Sequence, residues 1–143
     1  MLIGIASDHG GFELKNFIKS HFTDLTFRDF GTNTTDSVHY PDFADLLCKN
    51  ILNNSVEIGI LICGTGIGIS MRANRYNGIR AAVVHNLFTA EMAKAHNNAN
   101  VLCLGGRTTS NDDAIKFIEK WLNTSFEGGR HAERISFLDQ PIQ

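Results

Sequence analysis

Apolar runs and amphipathic stretches alternate along this chain. Five short runs read as strands: Leu2 to Ala6, Leu25 to Phe30, Ile58 to Cys63, Ile79 to Val84 and Val101 to Leu104. Most are nearly continuous in apolar residues rather than strictly alternating, as expected for strands covered on both faces. Helical spacing fills the gaps at Phe12 to Phe22, Asp42 to Leu52, Ile69 to Tyr76 and Phe88 to His96, and returns at Asp112 to Leu122. Repeated βα units predict a parallel sheet with helices on both faces, and right-handed crossovers make a three-layer α/β/α sandwich the economical solution. No internal repeat or low-complexity linker interrupts the pattern, so residues 1–143 read as one domain. From Thr124 onward, Gly128 and Gly129 precede Arg130-His131 and predict a turn into a final short helix. Segment 124–143 is thereby expected to pack on a partner chain.

Composition narrows the function. With 143 residues, 43% of them hydrophobic, the chain can bury a sizeable core. A net charge of -2 supplies no broad basic field for nucleic acid, so any basic residues that matter act locally. Met1 to Ala6 runs straight into Ser7-Asp8-His9, unlike a signal peptide, and no apolar stretch is long enough to span a bilayer. Three widely spaced cysteines, Cys48, Cys63 and Cys103, fit a reducing cytoplasm and form no C-x-x-C metal motif.

The most informative stretch is Ile58 to Gly68, IGILICGTGIG. It sets Cys63 at the end of a buried strand and follows it with a turn through Gly64, Gly66 and Gly68. The helix expected next would turn its free amides and positive dipole end toward Cys63, favouring a thiolate and a developing oxyanion beside it. A strand-end cysteine is most often only a small buried hydrophobe. A glycine turn between strand and helix also suggests a dinucleotide site. Here, however, Ile69 replaces the third fingerprint glycine, and Val84-His85-Asn86 offers no acid for a ribose hydroxyl. The Gly-Lys-Ser/Thr of a P-loop is absent as well.

In open α/β sheets ligands gather at the C-terminal ends of the strands. Three such ends carry unusual residues: Ser7-Asp8-His9-Gly10-Gly11, Cys63-Gly64-Thr65-Gly66 and Gly105-Gly106-Arg107. Asp8 equally suits a cap for the helix that begins near Gly11, and Gly105-Gly106 can serve simply as a turn. His96-Asn97-Asn98 closes a helix, where a histidine also complements the dipole. Arg130 and Arg134, four apart, share one helix face with His131 nearby. That face is either solvated or, over a crevice, suited to grip a phosphate with charge-assisted bonds.

The runs CGTGIGISMRANRYNGIRAAVVHN, AHNNANVLCLGGR and EGGRHAER, with the opening IASDHGGFELK, resemble the type B ribose 5-phosphate isomerases of the RpiB/LacA/LacB sugar-phosphate isomerase family. The likeness covers nearly the whole chain. It implies a Rossmann-like sandwich, a homodimer or dimer of dimers, and conversion of ribose 5-phosphate to ribulose 5-phosphate without metal or organic cofactor. By the same resemblance Cys63 is the base and Thr65 hydrogen-bonds or relays its proton. The amides of Gly64 to Gly68, with Gly66 between them, form an anion hole, His96 assists ring opening, and Asn97 binds the sugar or enediolate. Asp8 and Tyr40 match positions that hold sugar hydroxyls. His9, Arg107, Arg130 and Arg134 match phosphate-site positions, and His131 lies close to that set.

One departure bears on the substrate. Many members of the family read Asp-Tyr-Pro where this chain has His39-Tyr40-Pro41, a version closer to galactose 6-phosphate isomerase subunits. Arg130-His131-x-x-Arg134 points back to the pentose phosphate. Allose 6-phosphate or galactose 6-phosphate is the same-class alternative. A noncatalytic sugar-phosphate or nucleotide sensor, or a cysteine hydrolase using Cys63 and His96, represents the other classes.

Overall fold

A computed structural model describes residues 1–142; Gln143, the last residue of the segment expected to meet a partner, lies outside the described residues. The chain forms strands β1 (Leu2–Ser7), β2 (Thr26–Asp29), β3 (Ile58–Cys63), β4 (Ala81–Val83) and β5 (Val101–Gly105). Helices are α1 (Phe12–His21), α2 (Tyr40–Leu52), α3 (Ile67–Ala73), α4 (Leu87–Ala95), α5 (Asn111–Asn123) and α6 (Arg130–Leu138), with a 3-10 turn at His9–Gly11 before α1. All strand pairs are parallel and the sheet order is β2-β1-β3-β5-β4. The expected α/β/α architecture is therefore present.

Alternation along the strands divides the core between the two faces. Ile3 and Ile5 of β1, Ile60 and Ile62 of β3 and Leu102 and Leu104 of β5 pack with α1, α4 and α5. Ala6, Leu61, Cys63, Val101 and Cys103 point the other way, toward α2 and α3. On that second face Gly4 and Gly59 are paired neighbours, and a Cβ on either would collide with Leu47 of α2. Their small size lets α2 lie close to the sheet. Trp121 of α5 is fully buried and donates its indole N–H to the Ala99 carbonyl at 3.1 Å, tying α5 to the loop that enters β5.

Element ends shift by small amounts for local reasons. Helix α2 begins at Tyr40 rather than Asp42 because Pro41 fits the first helical turn, where its missing N–H costs nothing. Strand β4 is shorter than Ile79 to Val84: the Ile79 amide bonds the Tyr76 carbonyl and the Arg80 amide bonds Asn100 Oδ1. Helix α3 stops at Ala73, not Tyr76, where the Asn74 side chain both donates to and accepts from the Ala81 backbone.

Candidate active site

The chain runs from β1 to β2 on one side and then places β3 on the other side of β1. This reversal opens the usual ligand crevice at the C-terminal ends of β1 and β3. The Asp8 amide bonds the Ile62 carbonyl at 3.2 Å, so the loop after β1 lies against the end of β3. Because β5 is also beside β3, its exit loop joins them. The Gly106 amide bonds the Cys63 carbonyl at 2.8 Å and the Arg107 amide bonds the Gly64 carbonyl at 2.9 Å.

Cys63 is 4% exposed and its Sγ accepts the Gly66 N–H at 3.1 Å. Gly66 has φ 78°, a left-handed conformation that aims this amide back at the sulfur, and a Cβ there would press on the Leu104 backbone. The Thr65 hydroxyl accepts the Ile67 N–H at 3.2 Å, which engages its oxygen at the start of α3. With the Gly66 and Ile67 amides engaged, those of Gly64, Thr65 and Gly68 have no acceptor among the described residues. They are the donors left for a ligand oxyanion. The other cysteines are unsuited to reaction: burial pushes the Cys48 thiol up to about 12 and the Cys103 thiol well above the usual range.

Around this loop stand several of the expected residues. Asp8 Oδ1 accepts the amides of Gly10 at 2.9 Å and Gly11 at 3.2 Å, so one carboxylate oxygen serves as the cap anticipated for this turn. His9 Nδ1 accepts the Val38 N–H at 3.2 Å, which places the imidazole proton on Nε2 when the ring is neutral. The Tyr40 ring covers Gly68, where a Cβ would be 2.7 Å from Tyr40 Cζ, and the exposed Arg107 guanidinium passes over Gly64. Asp8, His9, Tyr40, Cys63, Gly64, Thr65, Gly66, Gly68 and Arg107 thus share one rim.

His96, Asn97, Arg130 and Arg134 do not join them. The loop after α4 enters β5 at its opposite end, where the Gly59 amide bonds the Asn100 carbonyl at 2.9 Å. Along β3 that end is separated from Cys63 by about 15 Å of strand rise. Helix α6 sits at this second rim, held by Arg80 Nη1 on Asp139 at 2.9 Å, and exposes Arg130 and Arg134. His131 stacks on His96 with ring centroids 4.1 Å apart and planes 12° from parallel. Glu127 reaches both, Oε2 being 3.6 Å from His96 Nε2 and Oε1 3.6 Å from His131 Nε2. The donor atoms of these three lie within 4.8 Å of one another. With the rings stacked, however, their in-plane lone pairs run side by side instead of converging on an ion, as the short bonds of a tetrahedral zinc site require. A Cys63–His96 nucleophile and base pair within one chain is likewise excluded.

Two contributors escaped the sequence reading. Lys15 is fully buried, with Nζ 2.8 Å from both Asp29 carboxylate oxygens and 2.7 Å from the Thr32 carbonyl. Lys19 and the Gly31 amide add bonds to Asp29 at 2.8 Å each. This cluster fixes the strand exit that pairs with Ser7, the Ser7 amide bonding the Gly31 carbonyl at 2.7 Å. Burial raises the Asp29 carboxyl, but the Lys15, Lys19 and Gly31 hydrogen bonds outweigh it and hold the group below its ordinary value. Glu127 is the second omission. Lys15 within IASDHGGFELK and the acid opening EGGRHAER were the available signals.

The sequence profile of the Ribose/Galactose Isomerase family matches residues 3–138. Ribose-5-phosphate isomerase B of Clostridium thermocellum superposes with a TM-score of 0.95 at 44% identity, covering 97% of this chain and 95% of that one. The Thermotoga maritima ribose 5-phosphate isomerase gives 0.94 at 45% identity, covering 96% and 97%. Ribose-5-phosphate isomerase B of Mycoplasma genitalium, solved with bound ribulose-5-phosphate, gives 0.92 at 44% identity, covering 96% and 93%. The match in sequence and fold extends over both rims, and the chain belongs to the ribose/galactose isomerase family, among its type B ribose 5-phosphate isomerases.

Proposed function

We propose that this protein interconverts ribose 5-phosphate and ribulose 5-phosphate through an enediolate, in sites each completed by a second copy of the chain. The observation that carries the reading is the pairing of Cys63 Sγ with the Gly66 amide beneath a loop whose remaining amides are open. An aldose–ketose isomerase must move a proton between C2 and C1 and stabilise the oxyanion formed on the way. Cys63 takes the C2 proton and returns it at C1. The amides of Gly64, Thr65 and Gly68 receive the oxyanion, while the second oxygen of Asp8 and the Tyr40 hydroxyl hold sugar hydroxyls. His9 and Arg107 meet the phosphate. The Thr65 hydroxyl keeps a proton to donate, since its bond to Ile67 uses only the oxygen.

With His9 on the phosphate and Asp8 on the sugar hydroxyls, this rim keeps no group for opening the furanose, and the second rim of the same chain is too distant to supply it. His96 and Asn97 of a second copy would provide ring opening and a sugar contact, and its Arg130 and Arg134 would close on the phosphate. In a two-fold dimer one such contact generates its equivalent, giving two complete sites. Exposed Ile67 and Met71 on α3, with Phe137 and Leu138 on α6, offer apolar surface for the association, including the segment expected to meet a partner. On this reading the chain is one domain, and no helix of the described residues is long and apolar enough to cross a membrane. Its three cysteines are free, in keeping with a cytoplasmic setting.

His39 favours keeping hexose phosphates in view. It occupies the N-cap of α2 without a side-chain capping bond, adjacent to Tyr40 at the site. The decisive assay compares kcat/KM for ribose 5-phosphate, allose 6-phosphate and galactose 6-phosphate. The pentose phosphate is expected to lead; a hexose phosphate in first place reassigns the substrate, and binding of all three without turnover establishes a sensor.

A further inference from the structure

We propose that Glu127 is a positioning residue for ring opening, its carboxylate bridging the stacked His96–His131 pair and holding a single proton on the two rings. The inference rests on the isomerase reading above and extends it to a residue outside the substrate contacts. Each carboxylate oxygen faces one Nε2 at 3.6 Å, and the imidazoles are stacked 4.1 Å apart. Two imidazoliums at that separation repel, whereas one imidazolium beside a carboxylate is favoured. Arg130 and Arg134 of α6 add positive charge next to His131 and disfavour a second proton further. Burial and the His96 ring also press His131 toward the neutral form, with Glu127 opposing them.

The backbone places Glu127 for this role. Its amide bonds the Ala95 carbonyl at 3.0 Å, fixing it at the end of α4 beside His96. Gly128 and Gly129 follow with φ 69° and 56°, although a Cβ at either would meet no atom within 4 Å. They are needed for their left-handed backbone, which swings α6 round so that His131, four residues after Glu127, returns to the same carboxylate.

The chemistry calls for such a pair. Opening the furanose breaks the bond between C1 and the ring oxygen and forms the C1 carbonyl. The C1 hydroxyl loses a proton and the former ring oxygen gains one, with no net change. A His pair carrying one proton can accept the first and supply the second.

The test uses Glu127→Gln, which keeps size and removes charge, and Glu127→Asp, which keeps charge on a shorter arm. Each full-length protein is assayed with ribose 5-phosphate and with erythrose 4-phosphate, whose esterified C4 oxygen cannot close a furanose. The His131 imidazole is followed by NMR against pH. Glu127→Gln should lower kcat on ribose 5-phosphate roughly tenfold, part of the 10²–10⁴ typical of general acid–base catalysis. It should leave erythrose 4-phosphate within about twofold and lower the His131 midpoint, with Glu127→Asp intermediate in all three. Equal losses on the two substrates, or an unmoved His131 midpoint, overturn the proposal while leaving an active wild type as an isomerase. A wild type inactive on both sugars defeats the isomerase reading, and the positioning role with it.

Discussion

At the Cys63 rim the reactive group is held largely by backbone: the Gly66 amide on sulfur, the Cys63 carbonyl bound by Gly106 and the Gly64 carbonyl by Arg107. At the other rim His96 and Asn97 follow the end of α4, Arg130 and Arg134 project from α6, and His96 is steadied by a stacked ring and a carboxylate. The first arrangement is set once the sheet forms. The second depends on side-chain rotamers and, in the proposed function, serves the site of a second copy. The proposed function divides proton transfer and ring opening between opposite ends of the same strands, and on that reading substitutions at the two ends should fail differently.

Cys63→Ala gives the largest expected effect, a loss in kcat of roughly 10³-fold or more with substrate still bound, because a general base acts on the chemical step. A change confined to KM would remove Cys63 from that role. His96→Ala should cost roughly 10²-fold on ribose 5-phosphate but only a few-fold on erythrose 4-phosphate. Equal losses would erase the division between proton transfer and ring opening.

Asp29→Asn attacks the support of the first rim and leaves buried Lys15 without its counter-charge, so it should lower unfolding free energy by about 3 kcal/mol. The pH dependence has a defined sign. The folded Asp29 carboxyl lies below its ordinary value of 3.8, so its stabilisation is fully present above that pH and is lost as pH falls below it. Denaturant titrations from neutral pH into this acid window should show a slope in wild type that Asp29→Asn reduces; equal slopes would count against the ion pair. Smaller again is the result of mixing Cys63→Ala with His96→Ala under subunit exchange. Random pairing makes about half the dimers mixed, each with one intact site, so roughly a quarter of wild-type activity should return. Exchange confirmed by mass spectrometry without recovered activity would overturn the proposed site shared between two copies. Cys48→Ala and Cys103→Ala should change turnover less than about twofold if the folded population is maintained, because both lie in the core. Activity normalised to folded protein checks this.

Strands and helices were legible because their apolar runs are clean and their breaks carry glycine, asparagine or proline. Cys63, its glycines, Asp8 and Arg107 were legible as one rim because parallel strands present their C-terminal ends together. The order β3-β5-β4 was not readable, since two-sided burial gives each inner strand the same apolar character regardless of neighbour. Lys15 was hidden because a helical lysine normally reaches water, and only the fold brings Asp29 beneath it. The role implied for Thr65 beside the thiol did not reveal that its hydroxyl oxygen also accepts the Ile67 N–H in the first turn of α3. The separation of His96 from Cys63 follows from which end of β5 the preceding loop enters, a consequence of topology rather than residue type.

The insertion of β5 between β3 and β4 also governs how the chain completes itself during synthesis. While residues 101–105 remain in the ribosome, β2, β1 and β3 can pair, but β4 has emerged with no strand beside it, because its ladder is formed with β5 alone. The final strand therefore both fills the sheet and recruits the one made before it. A nascent chain arrested short of Val101 leaves the apolar edge of β3 open, and that unfinished edge is where a chaperone would be needed.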